Sequence, residues 1–194
     1  MSQIPRVIFV GLFVLSILSL SFAQEQAKPQ TPSTIVASEP AAKPADVASP
    51  DAIIAAIYDV ISGPAGQKRD WERMRSLFYN GARLIPTGVN KEGGGMKVTS
   101  LSVQEYIDRV TPYFEKNGFA EREIARHADK WGNIFEAFST YESRHDAKGA
   151  APFARGINSF QLFFDGTRWW ILTIYWQAES PELALPAEYL PHSR

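Results

Sequence analysis

The stretch from Arg155 to Gln177, RGINSFQLFFDGTRWWILTIYWQ, constrains the fold more than any other in the chain. Asp165-Gly166 interrupts two arms rich in aromatic and β-branched residues, the composition of pleated, half-buried strands. Gly takes the positive φ of a tight turn without steric cost. Parity sorts each arm into two faces. Asn158, Phe160, Leu162 and Phe164 share one side of the first arm; Trp170, Leu172, Ile174 and Trp176 share one side of the second. A three-residue loop containing Asp165-Gly166 sets those two groups on one face, so the hydrophobic pattern predicts an odd loop and a buried even-numbered face. The opposite face, which includes Gln161, Phe163, Trp169, Ile171 and Tyr175, is too apolar for open water, and a sheet-to-sheet homodimer would cover it.

The chain ahead of the domain reads as export machinery and spacer. Arg6 precedes the apolar run Val7–Leu20, and Ser21-Phe22-Ala23 offers a small-residue cleavage site, the layout of a secretory signal peptide over residues 1–23. The expected location is therefore secreted or periplasmic, with cleavage after Ala23 and no membrane attachment afterwards. The 194-residue sequence has 20 basic and 21 acidic residues and no Cys. Removing Arg6 with the leader leaves a net charge of −2, which gives no electrostatic footprint for nucleic acid. The absence of Cys excludes a disulfide framework. Residues 24–48 carry four prolines among Ala, Lys, Glu, Ser and Thr, with almost no large apolar side chain, and read as a disordered linker.

The domain is expected over 49–180. Ser49-Pro50-Asp51 signals a helix start, and Ile53, Ile54, Ile57 and Ile61 form its apolar stripe. Asp70 caps a second helix with Trp71, Met74, Leu77 and Phe78 inward and Asn80-Gly81 as its exit. A short strand, Ala82–Pro86, then leads to a long loop over 87–100 with Gly93-Gly94-Gly95, of the kind that forms lids. Ser102 and Glu105 form a capping box for a third helix that Pro112 kinks without ending. The stretch 119–131 is polar on both faces, as an edge strand is. In 133–144 the uncharged set Phe135, Ala137, Ser139, Tyr141 and Ser143 should face inward. Three prolines make 181–194 an irregular tail.

Helices gathered at the N-terminus and long antiparallel strands after them make an α+β fold. The element order resembles the nuclear-transport-factor-2-like superfamily and, within it, the SnoaL-like branch. The resemblance is carried by Ile53–Gly88, by GNIFEAFSTYESR (Gly132–Arg144) and by GINSFQLFFDGTRWWI (Gly156–Ile171). It implies a cone-shaped roll of three N-terminal helices packed on a curved, mainly antiparallel sheet, a conical pocket and frequent homodimers. Members include isomerases, dehydratases, cyclases and binding proteins without catalysis. Members that resemble ketosteroid isomerase hold an Asp base on the strand before a Pro. The matching stretch here is Leu84-Ile85-Pro86, and Ile85 cannot take a proton. The family's oxyanion Tyr lies on the first helix, where this chain has Tyr58.

The residues themselves assign no catalytic group. Ser139, Tyr141 and Asn158 fall on inward faces among apolar neighbours, where polar groups need a partner from protein, water or ligand. With Tyr58 and Trp176 as walls they form the expected ligand pocket. His127 and Asp129 share one strand face with Glu121 and Glu123 nearby, a pattern open to a metal or a tuned His but also to a solvated edge strand. His145 falls in a loop and His192 in the tail. No H-E-x-x-H, G-x-S-x-G, Walker or G-x-G-x-x-G motif occurs, so neither metal nor cofactor is expected. The leading expectation is a non-catalytic exported domain that binds a small, mostly apolar molecule or a protein partner. A cofactor-independent isomerase or hydro-lyase using a pocket His or Tyr is the alternative, and a structural homodimer module with a filled core is a third. A strongly perturbed titrating group inside a real pocket would favour the enzyme.

Overall fold

The computed structural model describes residues 41–149 and 151–191. The expected signal peptide, linker residues 24–40 and His192 lie outside them. Among the described residues no helix is long and apolar enough to cross a membrane. Three helices, α1 (Pro50–Ile61), α2 (Trp71–Leu77) and α3 (Val103–Asn117), pack on six strands. The strands are β1 (Phe78–Val89), β2 (Met96–Val98), β3 (Ala120–Trp131), β4 (Ile134–Arg144), β5 (Ala154–Phe164) and β6 (Trp169–Ala178). They lie in the order β2-β1-β6-β5-β4-β3. Only the β1–β6 pair is parallel, so the sheet is mixed and mostly antiparallel. This is the expected α+β architecture.

Local chemistry starts each helix. The Ser49 side chain accepts from the Ala52 amide, with Pro50 in the first turn. Asp70 accepts from the Arg73 amide. Ser102 and Glu105 complete a reciprocal capping box, and α3 runs through Pro112. Ile53, Ile54, Met74 and Leu77 of the helices meet Phe160, Leu162 and Ile171 of the sheet in the core.

Several boundaries differ from the sequence reading. Helix α2 stops at Leu77, and Phe78 opens a twelve-residue strand. Gly81, at φ 82°, sits inside that strand where its register against β6 shifts. The expected lid over 87–100 is largely a hairpin, in which Thr87, Gly88 and Val89 pair with Val98, Lys97 and Met96. Residues 41–48, expected as the end of the linker, belong to the described structure. Val47 is buried in the core, and Asp46 receives two hydrogen bonds from Arg73, at 2.7 and 3.0 Å.

The odd loop of the β5–β6 hairpin is corrected. Phe164 pairs with Trp169 across a four-residue turn. Asp165 builds that turn: one carboxylate oxygen accepts the amides of Thr167 and Arg168, and the other accepts the Trp170 indole N–H at 2.7 Å. Arg168 lies 3.6 Å over the Trp170 ring. Trp170 is thereby held on the face away from the helices, beside Tyr79 and Phe163. Further along, Asn158 faces Trp176 and Phe160 faces Ile174, as expected. The two phases are reconciled by a one-residue register shift at Leu172. Trp169 and Ile171 therefore join the inner face in place of Trp170 and Leu172.

The tail is irregular apart from a 3₁₀ turn, Ala187–Tyr189. It crosses the outer face of the sheet as a strap. The Thr140 hydroxyl donates to the Tyr189 carbonyl at 2.6 Å, and the Tyr189 ring packs against Phe138 and His127.

Candidate functional site

A cavity of about 270 Å³ lies between the helices and the inner face of the sheet. Helix α1 contributes Ile57 and Tyr58, α3 contributes Tyr106 and Phe114, and the sheet contributes Tyr141, Asn158 and Trp176. Four of the five expected pocket residues line it: Tyr58, Tyr141, Asn158 and Trp176. Ser139 stands one layer behind, bonded to Tyr58.

The polar groups form one connected chain with a fixed direction. Ser139 donates to the Glu123 carboxylate at 2.6 Å, which uses its only proton. Tyr58 must therefore donate to the Ser139 oxygen, at 2.7 Å, and its own oxygen accepts from the Asn158 amide at 3.0 Å. Arg126 closes the far end with two bonds of 2.6 Å to Glu123 and an ion pair to Asp51. Asn158 also donates to Glu121 at 3.3 Å, and the Ser143 hydroxyl donates to the other Glu121 oxygen at 2.7 Å.

Glu121 lines the cavity and is the residue that sequence reasoning missed. Alternation grouped it with His127 and Asp129 on one exposed face. The structure separates them. Strand β3 carries an extra residue between Glu123 and Ala125, which turns the pleat over. Glu121 and Glu123 pair with the inward Ser143 and Tyr141, whereas His127 and Asp129 pair with Phe138 and Glu136 on the outer face. There the His127 Nε2 donates to the Glu188 carbonyl at 2.5 Å. Among the described residues no three His, Asp or Glu side chains converge to hold a metal ion. His145 stacks on Phe153, 4.4 Å between ring centres.

Burial pushes the Glu121 carboxyl up to about 7, against the opposing pull of its bonds from Ser143 and Asn158. Whole-residue exposure is intermediate because the backbone lies near the sheet edge, but the carboxyl ends among buried partners. Burial, and then the nearby Glu121 charge, also raise the hydroxyls of Tyr58, Tyr106 and Tyr141, so all three remain protonated donors. The hydroxyls of Tyr106 and Tyr141 make no hydrogen bond to any described residue. Tyr141 reaches its place over Gly156, its cross-strand partner, where a Cβ would lie 2.6 Å from its hydroxyl oxygen. Ile85 does not line the cavity, so its only carboxyl among the described residues is the one on β3.

No protein-family model matches the chain, and no curated protein matches it. Its fold neighbours are NTF2-like proteins. One, of unknown function, comes from Shewanella baltica, with 17% identity over 66% of this chain and 89% of that one, TM-score 0.43. A second, of unknown function, comes from Methylobacillus flagellatus, with 16% identity over 68% of this chain and 95% of that one, TM-score 0.39. A third, described as a candidate ketosteroid isomerase, comes from Shewanella frigidimarina, with 17% identity over 56% of this chain and 81% of that one, TM-score 0.38. Nothing about activity passes from them to this chain.

Proposed function

We propose that this domain binds a small, mostly apolar molecule carrying one polar group, with the apolar body against Ile57, Phe114, Phe160 and Trp176. The observation that carries the reading is the meeting, in one apolar cavity, of the Glu121 carboxyl with the Tyr106 and Tyr141 hydroxyls, which have no hydrogen-bond partner among the described residues. A closed structural core would pair such groups with each other. Native mass spectrometry of the protein purified from its own host tests this: a co-purifying small molecule lost in Phe160→Ala supports it. An empty protein, with no ligand found by screening, favours the structural module.

A second reading is favoured by Glu121 itself. A carboxyl that titrates near neutrality in an apolar-lined cavity can take and return a proton, with the Tyr106 and Tyr141 hydroxyls donating to an oxygen that gains charge. In that acid–base enzyme the working group is Glu121, in place of the His or Tyr expected from the sequence, because His127 lies on the outer face and the tyrosines stay protonated. The check is deuterium incorporation into the co-purifying molecule in D2O, lost in Glu121→Gln.

Export with cleavage after Ala23 belongs to the same proposal, supported by the Arg6, Val7–Leu20 and Ser21-Phe22-Ala23 layout. N-terminal sequencing of the exported protein should begin at Gln24. The homodimer is proposed in reduced form. The tail strap covers part of the outer face, and the exposed Trp131 (82%) and Ile134 (53%) support a contact at the β3–β4 end, checked by light scattering.

A further inference from the structure

We infer that the ligand of this cavity is a small organic cation, an amine whose ammonium sits on Glu121 and whose apolar body lies among the aromatic rings. This rests on the reading of the cavity as a ligand site and names the ligand's chemical class. Three observations point to a cation. First, the cavity holds one carboxyl and, among the described residues, no Lys, Arg or His in its lining. Second, the cationic groups nearest in the fold are engaged elsewhere. Arg126 pairs with Glu123 and Asp51, Arg122 and Arg144 pair with Glu142, and Arg69 donates to the carbonyls of Ile61 and Gly63. Third, the wall is rich in rings, Tyr58, Tyr106, Tyr141, Phe160 and Trp176, and aromatic rings attract a desolvated cation; Phe114, also in the wall, is stacked on Phe119 and carries Arg69 over its ring.

The balance of hydrogen bonds agrees. An ammonium group is a donor only, with three N–H groups. Glu121 accepts from Ser143 and Asn158, one bond on each oxygen, and retains lone pairs on both. The Tyr106 and Tyr141 oxygens are two further acceptors that use no bond to the described residues. A neutral alcohol would meet the same atoms but would leave the ionised carboxylate without a counter-charge, which is costly in an apolar site. The cavity volume of about 270 Å³ limits the guest to a small amine.

The groups facing Glu121 are the phenols of Tyr58, Tyr106 and Tyr141, all held protonated, with Glu123 two residues along its strand and Asp59, Arg122, Glu142 and Arg144 around the surface groove behind it. No lining group other than Glu121 changes charge between pH 5.5 and 8.5, and Glu121→Gln separates its contribution from that of His145, an imidazole stacked on the lining Phe153.

The test uses 2-phenylethylamine and its neutral counterpart 2-phenylethanol, titrated into the purified protein with calorimetry as the readout and intrinsic tryptophan fluorescence beside it. An alkylamine stays cationic below about pH 10. At pH 8.5 the amine should bind at least about tenfold more tightly than the alcohol. Its affinity should fall by more than about tenfold at pH 5.5, as Glu121 takes up its proton, while that of the alcohol changes little. Glu121→Gln should remove the preference for the amine and keep binding of the alcohol. Equal binding of the two probes, or an amine affinity indifferent to pH and to Glu121→Gln, overturns the cation inference and leaves the ligand site standing. Binding of neither probe to wild-type protein counts against both.

Discussion

The hydroxyls of Tyr58 and Tyr141 look alike in the sequence and have opposite surroundings in the fold. Tyr58 links Asn158 to Ser139, so Tyr58→Phe leaves two buried partners short and should cost about 1–3 kcal/mol. Tyr141→Phe removes a hydroxyl with no hydrogen-bond partner among the described residues and should change stability by less than about 0.5 kcal/mol, while weakening any ligand that the hydroxyl meets. Urea denaturation of the two variants side by side checks the contrast. Glu121 gives a pH signature. Its carboxyl titrates near 7 in the fold and near 4.5 in the unfolded chain, so between those values the folded state holds the extra proton. Stability therefore falls as pH rises from about 4.5 to about 7 and levels off above. Glu121→Gln cannot ionise. It should raise stability at pH 8 by up to about 3 kcal/mol and do little at pH 4.5, measured as the difference in melting curves at the two pH values.

At the scale of elements, two one-residue bulges decide which side chains the cavity receives. The one in β3 sends Glu121 inward and His127 outward; the one at Leu172 lets Asp165 hold Trp170 outside while Trp169 and Ile171 fill the core. The segment ahead of α1 is pinned in the same local way. Arg73 donates two bonds to Asp46, and these bonds are the main reason that the Asp46 carboxyl lies below the usual range. Asp46→Asn should cost about 1–2 kcal/mol at pH 7. A carboxyl with a lowered value stabilises above its unfolded titration and loses that contribution as pH falls through the folded one, so the penalty should shrink in acid. Guanidinium titrations at pH 7 and pH 3 check this. Leu162, 1% exposed, anchors the hairpin to the helices, and Leu162→Ala should cost about 2–5 kcal/mol.

For the molecule as a whole, the strap matters most, because it joins the chain's end to the face opposite the cavity. It covers Thr140, which is fully buried, and half-covers Phe138. Truncation after Glu179 should uncover both, lower stability by about 1–3 kcal/mol and increase self-association through the widened apolar face. Light scattering beside thermal melting reads both effects. An unchanged mass distribution would show that the strap does not guard the face.

The sequence by itself determined what local chemistry determines. The caps at Ser49, Asp70 and Ser102 started the helices as read, because the side chain and the amides it serves lie within one turn. Alternation in β4 placed Tyr141 and Ser143 inward, alternation at the open end of the β5–β6 hairpin put Asn158 opposite Trp176, and these side chains meet Tyr58 of α1 at the wall of one cavity. Tertiary structure decided every place where two local preferences disagree by one residue. Asp165 and Trp170 settle the turn of the hairpin while Phe160 and Ile174 settle its open end, and only the packed sheet shows the extra residue that lets both be satisfied. Glu121 was hidden for the same reason. A charged residue on a polar edge strand reads as solvated until the bulge beside it, and the helices above it, place its carboxyl among Ser143, Asn158 and Tyr141.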